Sequence, residues 1–361
     1  MSKQSLEHLV EALDRAGLRA IVLAGEHGRA LISPELGARL LAVALPEGDC
    51  LWHEPSLEEM PAGAGWNAGG QRTWIAPEHA PGSLFFEDGQ WRCPPGLDPG
   101  AYQVTGGIPG REVSLRNTFT RTIGAAPVRY DIRRRITLAR HEDCFAIQVE
   151  QGIQHSGWRD GALPAGAWAI LQAPAPGFAH VEFPQIPAGS VFHDDFFQPV
   201  PPDWVYRAGR RLVFYLSGSR QYKVGIPATL FAGEAVVEYF HRDPASGLWL
   251  EIRQVLDNQP GSFYAEAPGG IPARDGDLLQ FYNHFTADAR SYAELEGHAP
   301  AVQQAGVEST LTVRYEFSWR TGEVLGQRFR DRGAAGAFRF MHRVVESPAR
   351  PGEKIPREKE K

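Results

Sequence analysis

Leu311-Thr312-Val313-Arg314-Tyr315-Glu316-Phe317-Ser318-Trp319 alternates apolar and polar side chains without a break. Successive residues of a strand point to opposite faces. Leu311, Val313, Tyr315, Phe317 and Trp319 would therefore line a buried face, and Thr312, Arg314, Glu316 and Ser318 a wetter one. The same period of two recurs upstream. Val128, Tyr130, Ile132, Ile136 and Leu138 alternate with Arg129, Asp131, Arg133, Arg135 and Thr137, with Arg134 the one exception. Phe145, Ile147, Val149 and Ile153 continue it, as do Leu248, Leu250 and Ile252. Arg19–Leu23, Arg29–Ile32 and Arg39–Leu45 are shorter strand candidates broken by Gly and Pro. With 39 Gly and 28 Pro punctuating these runs, the chain reads as all-β with many long loops.

The exception lies at the start. Leu6, Leu9, Val10 and Leu13 follow helical spacing, with Ser5 as a cap and Gly17 as a stop. Helical periodicity is scarce after residue 17. No linker divides the rest, and no repeat of fixed period appears. The expected organisation is an N-terminal helix over 1–18, a single β domain over 19–347 and a disordered tail over 348–361, which is rich in Pro and charge.

Composition narrows the functional classes. At 361 residues the chain can bury a sizeable core, and a net charge of −6 gives no reason to expect nucleic acid or an anionic membrane as partner. Cys50, Cys93 and Cys144 are odd in number and widely spaced, which argues against a disulfide framework or a thiolate zinc site and fits a reducing compartment. Residues 1–18 lack the apolar centre of a signal peptide, and no 18-residue apolar run occurs, so a cytoplasmic location is expected. Oligomeric state is not legible. Walker A, strand-borne GxGxxG, GxSxG and HExxH signatures are missing, which lowers phosphoryl transfer, hydride transfer and serine hydrolysis. His193-Asp194-Asp195 reads as a surface loop, because adjacent strand residues point apart and would not converge on a metal.

Polar residues set among aromatics mark four segments. Ser291-Tyr292-Ala293-Glu294-Leu295-Glu296-Gly297-His298-Ala299-Pro300 reads as a strand with Tyr292, Glu294 and Glu296 on one face. Two such carboxylates lie roughly 6–7 Å apart, and each disfavours ionisation of the other. They are an acid–base pair or two solvated carboxylates on an edge strand. Trp66-Asn67-Ala68-Gly69-Gly70-Gln71-Arg72-Thr73-Trp74-Ile75-Ala76-Pro77-Glu78 offers the donor fork of Arg72 between two rings; the alternative is an Arg72–Glu78 ion pair. Gln154-His155-Ser156 follows a strand, where a histidine is either a proton donor or structural. Gln280-Phe281-Tyr282-Asn283-His284 precedes the Glu294/Glu296 strand.

Together these segments resemble the galactose mutarotase-like superfamily, which includes the aldose 1-epimerases. Leu295-Glu296-Gly297-His298-Ala299-Pro300 is similar to the Leu-Glu-Thr-Gln…Pro-Asp motif of the catalytic Glu, and Gln154-His155-Ser156 to the Asn-His-Ser motif of the general acid. Arg72 follows Gly69-Gly70 as the substrate-binding Arg follows a glycine pair, and Tyr282-Asn283 resembles the run before the catalytic strand. The likeness spans roughly residues 20–320. It implies a large antiparallel β-sandwich with a short N-terminal helix and a carbohydrate-sized cleft on one sheet.

Two departures set the chain apart from the well-studied epimerases. Their early Leu-His-Gly-Gly motif has no counterpart around Leu84–Trp91, and Gln221-Tyr222-Lys223-Val224-Gly225-Ile226 stands where they carry Asp-His-x-Phe. Lys223 in place of an Asp allows an anionic sugar. The resemblance implies an enzyme that needs no cofactor or metal and takes a small carbohydrate as its partner. Glu296 would deprotonate the anomeric hydroxyl while His155 protonates the ring oxygen. Glu294 would raise the Glu296 pKa. Arg72, Asn283, Tyr282 and Lys223 would hold the sugar, with Trp66 and Trp74 as walls. The alternatives are a non-catalytic carbohydrate-binding protein and a polysaccharide lyase or glycosidase on the same scaffold.

Overall fold

The alternating run at 311–319 lies within a 13-residue strand, Glu308–Arg320, at the middle of a ten-stranded antiparallel sheet. Phe145–Ser156 flanks it on one side and Trp249–Asp257 on the other, in a register that pairs Val149 with Val313 and Ile252 with Phe317. The computed structural model describes residues 6–58, 65–80, 82–123, 126–156, 164–186, 189–267, 276–286 and 290–346. The expected tail at 348–361 lies outside them.

A second, nine-stranded sheet packs against the first. Its order runs Ile21–Ala24, Arg29–Ser33, Arg39–Leu45, Gln71–Ala76, Gly166–Pro174, Tyr292–His298, Asp277–Asn283, Tyr222–Pro227. The two inner faces share one apolar core. Ile132, Ile147, Val149, Val313, Tyr315 and Phe317 come from one sheet, and Ile75, Leu171, Leu279, Phe281 and Leu295 from the other. Each such side chain contributes about 1.5–3 kcal/mol on burial. At Gly297 the sheets approach so closely that a Cβ would sit 3.0 Å from Gln254 and 3.2 Å from Leu256 of the facing sheet. The architecture is the expected antiparallel β-sandwich.

Arg134, the break in the alternation, points inward with its neighbours of like parity. Its guanidinium donates to the Ala38 carbonyl at 2.7 Å and to Gln71 Oε1 across the sandwich. α1 (Leu6–Arg15) buries Leu6, Leu9 and Leu13 on Leu31, Leu41 and Leu57, outside the first three strands of the nine-stranded sheet. With apolar layers on both faces, those strands lose their alternation and read as continuous apolar runs.

The scarcity of helix after residue 17 is corrected at the C-terminal end of the described chain. Residues 322–346, read as part of the β domain, form α2 (Gly322–Asp331) and α3 (Ala335–Glu346). Thr321 caps α2 by accepting the Val324 N–H at 3.3 Å. Ala337, Phe340, Met341 and Val344 of α3 are buried at helical spacing, a signal present in the sequence. Among the described residues no helix is long and apolar enough to cross a membrane, and all three cysteines are free thiols.

Candidate functional site

Five neighbouring strands of the nine-stranded sheet bring the chemistry together by register alone. Arg72 aligns with Ile170, Ile170 with Glu296, and Glu296 with Gln280. One row along, Gln172 aligns with Glu294, Glu294 with Tyr282, and Tyr282 with Lys223. On the other side Trp74, Trp168 and His298 form a third row. All project from the outer face of that sheet, since the alternate residues Gln71 and Thr73 reach across the sandwich to Arg134 and Gln151. The carboxylate strand is central in the sheet, not an edge strand with solvated carboxylates.

These rows floor a cleft of about 390 Å³ walled by Trp66, Trp74, Trp91, Trp168, Phe86, Phe197, Tyr282 and Tyr292. Its size suits a small organic ligand. A larger hollow of about 680 Å³ beside Gly25 and Phe145 is lined by Arg111, Arg140, His141 and Glu142. It lacks this convergence of rings and buried charge. Gly69 and Gly70 explain how the chain enters the Arg72 strand. Both have positive φ, +92° and +70°, and a Cβ on Gly70 would lie 2.3 Å from the Leu40 carbonyl oxygen.

Arg72 does not pair with Glu78. Its Nη2 donates to Glu294 Oε1 at 3.0 Å and its Nη1 to Asn67 Oδ1 at 3.1 Å, while the guanidinium lies 4.3 Å from the Trp74 ring centre and 5.3 Å from that of Trp66. Gln172 Nε2 also donates to Glu294 Oε1, at 2.9 Å. Oε1 is thus fixed twice, and Oε2 receives no hydrogen bond from the described residues. Behind the rings, Asp98 accepts from Trp74 Nε1 at 2.8 Å and from Arg39 at 2.7 Å, and Arg39 also donates to the Gly69 and Trp66 carbonyls.

Glu296 is fully buried, with Lys223 Nζ 3.0 Å from its Oε2 and also 3.8 Å from Glu78 Oε2. The ammonium lies 4.8 Å from the Trp168 ring centre. Glu78 accepts from Trp91 Nε1 at 3.1 Å, and its backbone N–H donates to Glu266. Burial pushes the Glu296 pKa up against the pull of Lys223, with Glu294 adding to the rise. Burial raises Glu294 too, against Arg72, and takes Glu266 to about 7 against Lys223. Lys223 stays an ammonium: burial opposes its charge, and Glu296, Glu78 and Glu266 sustain it.

Trp66, Trp74, Arg72, Lys223, Tyr282, Glu294 and Glu296 therefore meet at one site. Two expected members do not. His155 lies in the other sheet, on Phe145–Ser156, and shares its parity with Ile153, Val149 and Gln151. Gln151 hydrogen-bonds Thr73 across the core, so that face looks into the sandwich, with the nine-stranded sheet between His155 and the cleft. Burial lowers the His155 pKa, against a hydrogen bond with the Val302 backbone. Asn283 also faces inward, beside Leu279 and Phe281. Its amide accepts from the Gly218 N–H at 2.8 Å and donates to the Arg220 carbonyl at 2.6 Å, ordering a turn instead of a ligand.

Other members were missed. Asn67, Glu78 and His284 stood inside the segments singled out by sequence, whereas Gln172 and Trp168 sit in a strand that reads as plain core. Glu266 carried no signal. His284 stacks on Tyr292 with ring centres 4.3 Å apart, and its Nδ1 is 3.1 Å from the Tyr282 hydroxyl. Gln221 Nε2 donates to that hydroxyl at 2.7 Å, so the phenol links Gln221 to the His284 ring. His193, read as a loop residue, joins Asp277 at 2.9 Å and Asp195 at 2.7 Å. It thereby ties the segment bearing Phe196 and Phe197 to the sheet edge. Among the described residues His141, Cys144 and Glu316 come within 4.8 Å of one another as metal ligands would. Arg253 and Arg314 already engage Glu316, at 2.9 and 3.0 Å, and burial holds the Cys144 thiol up at about 12.

No family model and no curated protein sequence matches the chain. Solved structures do. A candidate aldose 1-epimerase of Escherichia coli K12 superposes with a TM-score of 0.51 at 13% identity, covering 84% of this chain and 100% of its own. The Slr1438 protein of Synechocystis sp. PCC 6803 gives 0.52 at 13% identity, covering 83% of this chain and 96% of its own. The chain has the galactose mutarotase-like fold that its motifs resemble.

Proposed function

We propose that the cleft binds one sugar ring and moves protons at its anomeric centre, with Glu294 as the base. The observation that carries this reading is the Glu294 carboxylate. Arg72 and Gln172 fix one oxygen, the other has no partner among the described residues, and the group opens onto an aromatic-walled cleft. Its raised pKa suits a base that must also return the proton. Glu294 takes the proton of the anomeric hydroxyl as the ring C–O bond breaks, and His284, entering as the imidazolium, gives its Nε2 proton to the ring oxygen and is left a neutral imidazole. Tyr282, at Nδ1, holds the His284 ring in place. After the aldehyde rotates, the hydroxyl re-adds from the other side and both protons go back. Trp66 and Trp91 serve as stacking walls.

The test is one-dimensional proton NMR of freshly dissolved α-anomers with and without protein. Faster equilibration is expected, reduced at least about a hundredfold in Glu294→Gln. An undiminished rate in that variant rules out Glu294 as the base. A second reading, binding without turnover, draws on the central strand Gly166–Pro174, which carries Trp168, Ile170 and Gln172 on its cleft side and no histidine. Saturable quenching of tryptophan fluorescence by a sugar whose anomers equilibrate no faster would decide for it. A lyase would need a cation free to meet a uronate carboxylate, and both Arg72 and Lys223 are already engaged.

A further inference from the structure

The cleft holds more acid than base. Glu78 and Glu294 line it, Glu296 lies buried beneath it, and Glu266 sits behind Glu78. Among the described residues two Lys or Arg cations face these four carboxylates, and each is already matched: Arg72 with Glu294 at 3.0 Å, and Lys223 with Glu296 at 3.0 Å and Glu78 at 3.8 Å; His79 Nδ1 also lies 3.3 Å from Glu78. Among the described residues a ligand carboxylate or phosphate would find no unmatched Lys or Arg there. It would also add negative charge to a site screened from water, where like charges repel strongly. A ligand ammonium meets the reverse situation. Carboxylate charge awaits it, Glu294 Oε2 is unbonded among the described residues, and ring faces surround it. Those faces already hold cations, with Arg72 4.3 Å from the centre of Trp74 and Lys223 4.8 Å from that of Trp168.

We infer that the sugar taken by this cleft is cationic, an amino sugar whose ammonium sits against Glu78 and Glu294 among the aromatic rings. This rests on the cleft being a sugar site and narrows the substrate class. Lys223, whose long cation suggested an anionic sugar, serves instead as counter-ion to the buried Glu296.

Isothermal titration of the full chain just below neutral pH, with matched probes, tests the idea. Glucosamine, N-acetylglucosamine, glucose and glucuronate share a ring and differ in charge, and the galacto and manno series vary the remaining hydroxyls. Within the series that binds best, the amine is expected to bind at least about tenfold tighter than the neutral sugar, and the uronate weakest. Glu78→Gln is expected to shrink the amine-to-neutral ratio. Equal or tighter binding of the neutral sugar, or tightest binding of the uronate, overturns the inference and leaves the sugar reading intact. Binding of the N-acetyl sugar as tight as the free amine also overturns it, since shape would then replace charge. If no sugar of any charge binds, both readings fall.

Discussion

Lys223 and Glu296 illustrate how one residue's environment decides its meaning. On the sequence, Lys223 is a lone cation and Glu296 a general base. In the fold each is the other's counter-ion, 3.0 Å apart and out of water. Removing one partner strands a buried charge, so Lys223→Met is expected to cost about 3–5 kcal/mol in urea unfolding. The double variant Lys223→Met/Glu296→Leu should recover most of that loss, and a double variant no better than the single would refute the pairing. Glu266 gives a pH signature of known sign. Its pKa rises from 4.5 to about 7 on folding through burial, so the native state holds its proton more tightly than the unfolded one. That contribution is complete below 4.5 and is lost as pH climbs through about 7. Glu266→Gln should flatten the decline of Tm over that window. Asp98 acts at one remove, gripping Arg39 and the Trp74 indole. Asp98→Asn is expected to destabilise the chain and to alter the near-ultraviolet circular dichroism of the cleft tryptophans.

Among the elements, α2 is tied to the strands by charge. α2 lies over the ten-stranded sheet, where Arg328 Nη2 and Arg332 Nη1 donate to Glu238 Oε1 at 2.7 and 2.6 Å and His180 Nδ1 meets Oε2 at 2.8 Å. Burial opposes the Glu238 charge, but the His180 hydrogen bond and the two guanidinium groups hold its pKa down at about 2 from 4.5. A depressed carboxyl stabilises the fold above its unfolded value, and that stability drains away as pH falls from 4.5 toward 2. Acidification over this range should loosen α2 and α3 ahead of the sheets, seen as early hydrogen exchange across 322–346. Glu238→Gln should show the same exchange at neutral pH. Simultaneous exchange of helices and sheets throughout the acid range would count against this. The strands were legible because period-two patterning is local. α3 carried its helical spacing too, but Gly322, Gly326, Gly333 and Gly336 punctuate the segment and hide it among turns.

At the scale of the whole molecule, both sheets close over one core, with Val149 and Val313 on one side and Leu171 and Leu295 on the other. Neither inner face is buried without its partner sheet, so calorimetry at neutral pH should show one cooperative transition; two resolved ones would mean that the sheets unfold separately. Local patterning was enough for the strand class, the N-terminal helix and the segments where chemistry gathers, because alternation, capping and turn residues act between near neighbours. It also brought Tyr292, Glu294 and Glu296 to one face, a consequence of the strand's own period. Which of those segments meet was set by the packing of distant strands. Strand order and register set Arg72 and Glu294 on either side of Gln172, separated by 222 positions in the chain. The same pairing carried His155 and Asn283 to inner faces. A motif fixes a side chain's type and local direction, whereas its partner and its exposure depend on which sheet its strand joins and which face is covered there.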